Sequence, residues 1–265
     1  MMPYLTGNIK VRVNQEVNGV VEDMEVPVYC FASKYTSKGV DNPAYKSIND
    51  MVNTFTSIAA GGLERATRIR ITNGQIRENA FYAQNGQLVS TPRIEASFFT
   101  KVNADDFNPQ AKFQGIICIG NVRNEVDKDG DITGRLVIQG IVPQWGGKVD
   151  VVNYTVGSKD AIDHITSYWQ KGDTVKVVGK LNFSSKTEYV EEAMGFGEPV
   201  RTPKTTSVHE LIITSGSAGS LDGDLAYDTT EIAQALEARK VQLEETKNKQ
   251  KTTQKPKDQF GDLGF

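Results

Sequence analysis

Two alternating stretches and a few isolated rings hold the side chains whose chemistry can be read directly. In Arg68-Ile69-Arg70-Ile71, a period of two places both guanidinium groups on one face of an extended strand and both isoleucines on the other. Arg77 and Phe81 share a face of the next segment, and Arg93 and Lys101 follow. A second set comes later: Arg135, Trp145, Lys148 and Tyr154, then Lys186 and Tyr189. Cations at strand spacing with interspersed rings suit a flexible polyanion that carries flat groups. The cations would meet its charges, and each stacked ring would contribute roughly 1–3 kcal/mol. Both sets also have a plainer reading, a half-solvated sheet face for the arginines and packing over a barrel mouth for Trp145.

Charge distribution says more than total charge. The 265 residues sum to a net charge of −3, which argues against a surface that coats a polyanion all round. Yet residues 61–104 hold six Lys/Arg (Arg65, Arg68, Arg70, Arg77, Arg93, Lys101) against three Glu (Glu64, Glu78, Glu95).

Other chemistries find little support. Cys30 and Cys118, with His164 and His209, cannot form a conventional Cys/His zinc site without carboxylates, and each cysteine lies in an apolar run that reads as buried thiol. Asp127, Asp129 and Asp131 suggest a calcium loop, but Ile132 and Ile138 stand where that loop needs Gly and Glu, so the stretch reads as a hairpin tip. Gly115–Gly120 has the spacing of a phosphate loop without its following Lys-Ser/Thr. No cofactor, no metal and no enzymatic activity are expected. No apolar run of about 18 residues is present, so no membrane partner is expected either. The first residues lack a basic stretch followed by an apolar one, which leads us to expect a cytoplasmic protein.

The elements that must position these groups are mainly β. Asn8–Val13 and Glu22–Ala32 read as strands joined at Asn18-Gly19. Asn42-Pro43 opens a helix carrying Tyr45, Ile48, Val52, Phe55 and Ala59, which Gly61-Gly62 ends. Ala66–Thr72, Gln75–Ala83 and Arg93–Val102 are further strands. After the polar joint Asp105–Gln110 come three strands (Phe113–Arg123, Arg135–Pro143, Lys148–Val156) and a helix capped by Ser158. A fourth strand, Asp173–Phe183, follows, and Thr187–Met194 with Val208–Thr214 would complete the sheet. Three strands, a helix and two strands is the order of a five-stranded OB barrel. Trp169 and Phe183 fall on core-facing positions.

The expected fold is therefore mainly β with two or more helices (β / α+β). Residues 1–106 form an N-terminal β-rich module, either a second OB-like barrel or an elaboration of the first, and 107–215 form the OB domain. Residues 216–257 read as a flexible linker and a charged, helix-compatible segment, and 258–265 as a separate tip.

Gly134-Arg135-Leu136-Val137, Trp145-Gly146-Gly147-Lys148 and the run from Lys171-Gly172-Asp173 to Leu181 resemble single-stranded DNA-binding proteins, notably those of bacteriophages of Gram-positive hosts. The last eight residues resemble the acidic, phenylalanine-terminated tip that such proteins show to replication and recombination partners. That resemblance implies single-stranded DNA as ligand and assigns partner capture to Asp258, Phe260, Asp262, Leu263 and Phe265. Physically, a basic rim around an apolar socket would hold the terminal carboxylate and its ring. The tip departs from the pattern in having two acids rather than a denser run, and Gly264 where proline is usual. Two other readings stay open: a virion or assembly β protein, and a nucleic-acid-processing enzyme whose barrel holds substrate.

Overall fold

The computed structural model describes residues 3–17, 19–83, 85–103, 108–192 and 200–253. The expected tip, Asp258–Phe265, lies outside the described residues.

The second half closes a barrel. Its strands are β7 (Lys112–Val126), β8 (Ile132–Gln144), β9 (Lys148–Val156), β10 (Thr174–Asn182) and β13 (Glu210–Gly216), with helix α3 (Lys159–Tyr168) between β9 and β10. Around the barrel the order is β7-β8-β9-β13-β10 and back to β7. Every neighbouring pair is antiparallel except β9 and β13, which run parallel. This is the OB order.

Period-two patterning drives the closure. Ile117, Ile119, Leu136, Ile138, Val152, Tyr154, Val156, Val175, Val177 and Leu211 all point inward and are buried. Each such side chain contributes about 1.5–3 kcal/mol when taken out of water. Gly140 is required on the inner face: a Cβ there would stand 2.6 Å from the Tyr154 ring. Gly120 sits between Ile119 and Asn121, where the β7–β8 register shifts, as expected for a strand that must bend. Trp169 and Phe183 are core, as their positions predict.

One expected strand is placed differently. Thr187–Met194 does not enter the barrel; its described part belongs to β11 (Ser185–Glu192), which pairs with β12 (Val200–Ser207) as a separate two-stranded ribbon. Its sequence alternates charged and hydroxyl residues on both faces and so has no apolar side to bury. β13 supplies the fifth barrel strand instead.

The first half forms an open sheet of β1 (Tyr4–Val17), β2 (Val20–Ser33), β4 (Gly74–Tyr82) and β5 (Leu88–Ala96), in the order β1-β2-β5-β4. β2 and β5 are parallel and the other neighbours antiparallel. Helices α1 (Pro43–Thr54) and α2 (Ile58–Arg65) lie between β2 and β4 in the chain. The order therefore matches β8-β9-β13-β10, helix position and parallel pair included, without a counterpart of β7. β3 (Ile69–Ile71) and β6 (Phe99–Lys101) form a short separate pair.

Where one helix was expected, two form. Asn42 caps α1 through its side chain, but α1 stops at Thr54 and Ser57 caps α2 through Ala60 N–H. Ile48 and Met51 are the residues that α1 buries, while Val52 is exposed.

Several side chains tie the halves together. Buried Gln15 donates to the carbonyls of Leu181 (2.8 Å) and Ala111 (3.3 Å) and accepts from Ala111 N–H (2.8 Å). Arg77 on β4 pairs with Asp150 on β9 at 2.6 Å. Glu78 accepts from Val151 N–H (3.1 Å) and from Arg239 (2.8 Å) on α4 (Thr229–Thr253). The chain before α4 is held down as well, since Ser217 Oγ accepts from Lys176 N–H and Ser217 O accepts from Trp169 Nε1.

Candidate functional site

A cleft of about 1680 Å³ opens between the two halves, at the side of the N-terminal sheet where a counterpart of β7 is lacking. β1 contributes Lys10 and Arg12, the β3 region contributes Arg68 and Arg70, and β7 contributes Lys112. Among the described residues, the charged lining comprises these five cations and one carboxylate, Glu25. Asn14, Thr67, Thr72, Asn73, Gln75, Gln110, Gln114 and Gln144 add hydrogen-bonding groups. Lys10 pairs with Glu25 at 3.1 Å, and Arg12 holds Asp23 through two nitrogens. That pairing raises the Arg12 pKa and lowers that of Asp23. Both pairs are solvent-exposed, and such pairs contribute little to stability, so an incoming anion can compete for the cations.

Trp145 marks the rim. It follows Gln144, which lines the cleft, and turns outward with 97 % of its surface exposed because Gly146 and Gly147 both adopt positive φ. Lys148, in register with Gln144 across this turn, is exposed beside it. Four of the expected residues, Arg68, Arg70, Trp145 and Lys148, therefore gather in or beside one cleft.

The others do not. Arg77 is committed to Asp150, whose pKa burial raises although Arg77 acts in the opposite sense. Arg93 pairs with Glu95 and lies over the Tyr29 ring at 4.7 Å. Arg135 bridges Glu125 (3.3 Å) and Glu210 (2.8 Å), binding β7, β8 and β13 together. Tyr154 is buried against Phe113, with ring centroids 5.7 Å apart, and burial pushes its hydroxyl pKa up. Its parity along β9 is that of Val152 and Val156, the inward set, so this assignment is corrected to core. Lys101 donates to Thr54 O at 3.0 Å and lies over the Phe55 ring. Phe81 is exposed toward the far end of β4. Tyr189 is exposed on the β11–β12 ribbon, and the Lys186 side chain lies outside what is described.

Sequence reading missed Lys10, Arg12 and Lys112. The signal for the first two was present, since Lys10-Val11-Arg12-Val13 alternates like Arg68–Ile71. Lys112 stands alone at a strand start, and only the fold brings it to the cleft. Asp127 forms the expected hairpin tip, its Oδ1 accepting from Asp129 and Asp131 N–H. Cys30 and Cys118 are buried free thiols, and burial raises the Cys30 pKa to about 11. Among the described residues, no group of three or more His, Cys, Asp or Glu is placed to hold a metal ion.

The fold thus defines a closed OB barrel joined to an open sheet of matching strand order. The family model YorF matches residues 3–249, and the chain belongs to the YorF family. No curated protein matches it. Among solved structures it is similar to the mitochondrial single-stranded DNA-binding protein Rim1 of S. cerevisiae, at 16% identity over 42% of this chain and 94% of that one, with a TM-score of 0.29. It is also similar to the wild-type single-stranded DNA-binding protein from Thermus aquaticus, at 11% identity over 86% of each chain and a TM-score of 0.43. The barrel assignment rests on strand order, not on these likenesses.

Proposed function

We propose that this chain binds single-stranded DNA without sequence preference and without catalysing a reaction on it. The observation that carries this reading is the cleft, whose charged lining among the described residues is five cations and one carboxylate, with the bare Trp145 ring at the rim. Backbone phosphates would meet Arg68, Arg70 and Lys112, and a base would stack on Trp145 beside Lys148. The cleft is bordered by two sheets tied together by Gln15, Arg77 and Glu78, so it is preorganised for an extended ligand.

The test is a titration with oligo-dT followed by tryptophan emission, at several salt concentrations. The affinity is expected to exceed that for duplex DNA and to fall with salt. Replacing both Arg68 and Arg70 by Ala should reduce the log–log salt slope by about 1.4, two phosphate contacts at about 0.7 each. Equal affinity for duplex and single strand would reject the reading.

The finer assignment is to phage DNA replication or recombination in the host cytoplasm, with proteins recruited through Asp258–Phe265. It is supported by the likeness of that tip to phenylalanine-terminated recruiting ends. A chain lacking Asp258–Phe265 should keep its oligo-dT affinity and lose capture of its replication partners. Loss of DNA binding would refute this division of labour.

A further inference from the structure

Strands β1 and β2 carry a set of rings that the cleft does not use. Along β2, Met24, Val26, Val28, Cys30 and Ala32 point into the core. The opposite parity puts Pro27, Tyr29 and Phe31 on the outer face. On β1 the residues paired with these are Lys10, Asn8 and Thr6, with Tyr4 at the strand's end. Tyr4 and Phe31 lie with ring centroids 5.9 Å apart, and each is 51% exposed. The Tyr29 hydroxyl accepts from Thr6 Oγ1 at 3.0 Å, and its ring carries the Arg93 guanidinium at 4.7 Å. Lys34, one residue past β2, lies over the Tyr35 ring.

An apolar cluster of this kind normally costs solubility, so its exposure calls for a partner. Two features favour a single strand of nucleic acid. First, the rings alternate with cations: Lys10 and Arg12 at one end, Arg93 in the middle and Lys34 at the other. The carboxylate partners of Lys10 and Arg12, Glu25 and Asp23, sit in exposed pairs that a phosphate can displace, whereas Arg93 stays paired with Glu95. Second, the face continues the cleft. Lys10 and Arg12 line the cleft and share strand parity with Asn8, Thr6 and Tyr4. A chain leaving the cleft across this edge would next reach Tyr29, then Phe31 and Tyr4.

We infer that the outer face of β1–β2, from Arg12 and Lys10 to Tyr29, Phe31 and Tyr4, is a second stacking subsite for the strand held in the cleft. This rests on the single-strand reading above and adds to it a length requirement. Arg12 to Tyr4 is eight residues of strand, about 26 Å at about 3.3 Å each. That is room for roughly four further nucleotides, the low end for an OB module.

The experiment uses the full chain and a Tyr4→Ala/Phe31→Ala variant, titrated with labelled oligo-dT in a graded series of lengths and read by anisotropy. The wild type should gain affinity as the oligomer outgrows the cleft. The variant should bind the shortest oligomers like the wild type but lose about thirtyfold on the longest, as two lost stacking contacts imply. Tyr4→Phe/Phe31→Tyr, which keeps both rings, should restore the gain. If wild type and variant gain equally with length, the second subsite is refuted while the cleft reading stands. If the wild type binds no oligomer, both fall. A variant that binds normally but loses mass in light scattering would make this face a contact between copies, which also overturns the inference.

Discussion

Two pairs of strands hold equivalent places in matching sheets, and the chain treats their outer faces oppositely. The outer face of β8–β9 presents Val137, Gln139, Ile141, Pro143, Val149, Val151, Asn153 and Thr155, with no aromatic ring among them. Strands β4 and β5 and helix α4 all pack against β9. Ile232 of α4 is buried with Cys118, Ile141 and Val149, and Tyr227, Ala235 and Leu236 pack around them. The outer face of β1–β2 instead bears Tyr4, Tyr29 and Phe31 and stays half open to solvent. Strand order alone therefore does not say which face is available to a ligand. In this chain the face on which an OB barrel usually binds is covered in part by its own N-terminal sheet, through the polar contacts of Arg77 and Glu78, and in part by apolar contacts from the last helix.

The sharpest way to break that contrast is to remove the tie that holds the cover down. The Glu78 side chain is only 5% exposed and accepts from Val151 N–H, Ser90 Oγ and Arg239 together. Glu78→Ala leaves Arg239 and the Val151 amide without their acceptor beside Arg77 and Asp150. We expect about 3 kcal/mol less stability in urea unfolding. Cys118, packed under Ile232 and Tyr227, should also become reactive toward a thiol reagent, with peptide mapping to distinguish it from Cys30. A variant as stable as the parent, with Cys118 still protected, would mean that apolar contacts alone seat α4.

A smaller change sharpens the other side of the comparison. Trp145 touches little in the free chain, so Trp145→Ala should leave the unfolding midpoint nearly unchanged. It should weaken oligo-dT binding by about 1–3 kcal/mol, measured by anisotropy since the reporting indole is gone. Unaltered binding would move the base contacts away from the cleft rim.

How much of this was legible in the sequence differs between the halves for a physical reason. In β7–β10 every second position is apolar because one side of each strand is core, and strand order followed from that pattern and from Ser158 at the start of α3. The position of Trp145 followed from two glycines with positive φ. The arginines were less readable, because period two fixes a side chain's face but not what stands opposite. Arg77, Arg93 and Arg135 lie on strand faces as their spacing requires, yet Asp150, Glu95, Glu125 and Glu210 claim them. Glu95 is two residues from Arg93, but Asp150 and Glu210 are more than seventy residues from their partners and only the tertiary fold brings them near. Tyr29 and Phe31 could have been found, since they sit two apart between the buried residues Val28, Cys30 and Ala32.

The smallest expected effect concerns the helix that makes the difference between the two faces. Asp228 caps α4, its carboxylate accepting from the backbone N–H groups of Thr230 (2.7 Å) and Glu231 (3.2 Å). These bonds hold its pKa below the ordinary value of 3.8. A carboxyl whose folded pKa is depressed stabilises the fold above its unfolded pKa, and that contribution is withdrawn as pH falls through the folded value. Asp150 acts in the other direction, because burial raises its pKa, so its relative contribution is largest in acid and is lost as pH rises. Asp228→Asn keeps a capping oxygen but removes the charge. Below about pH 4 the parent should therefore lose its advantage over the variant, with the urea-unfolding midpoints of the two converging as the cap protonates. A constant difference between parent and variant across that range would show that α4 is seated by Ile232 and Arg239 without help from its first turn.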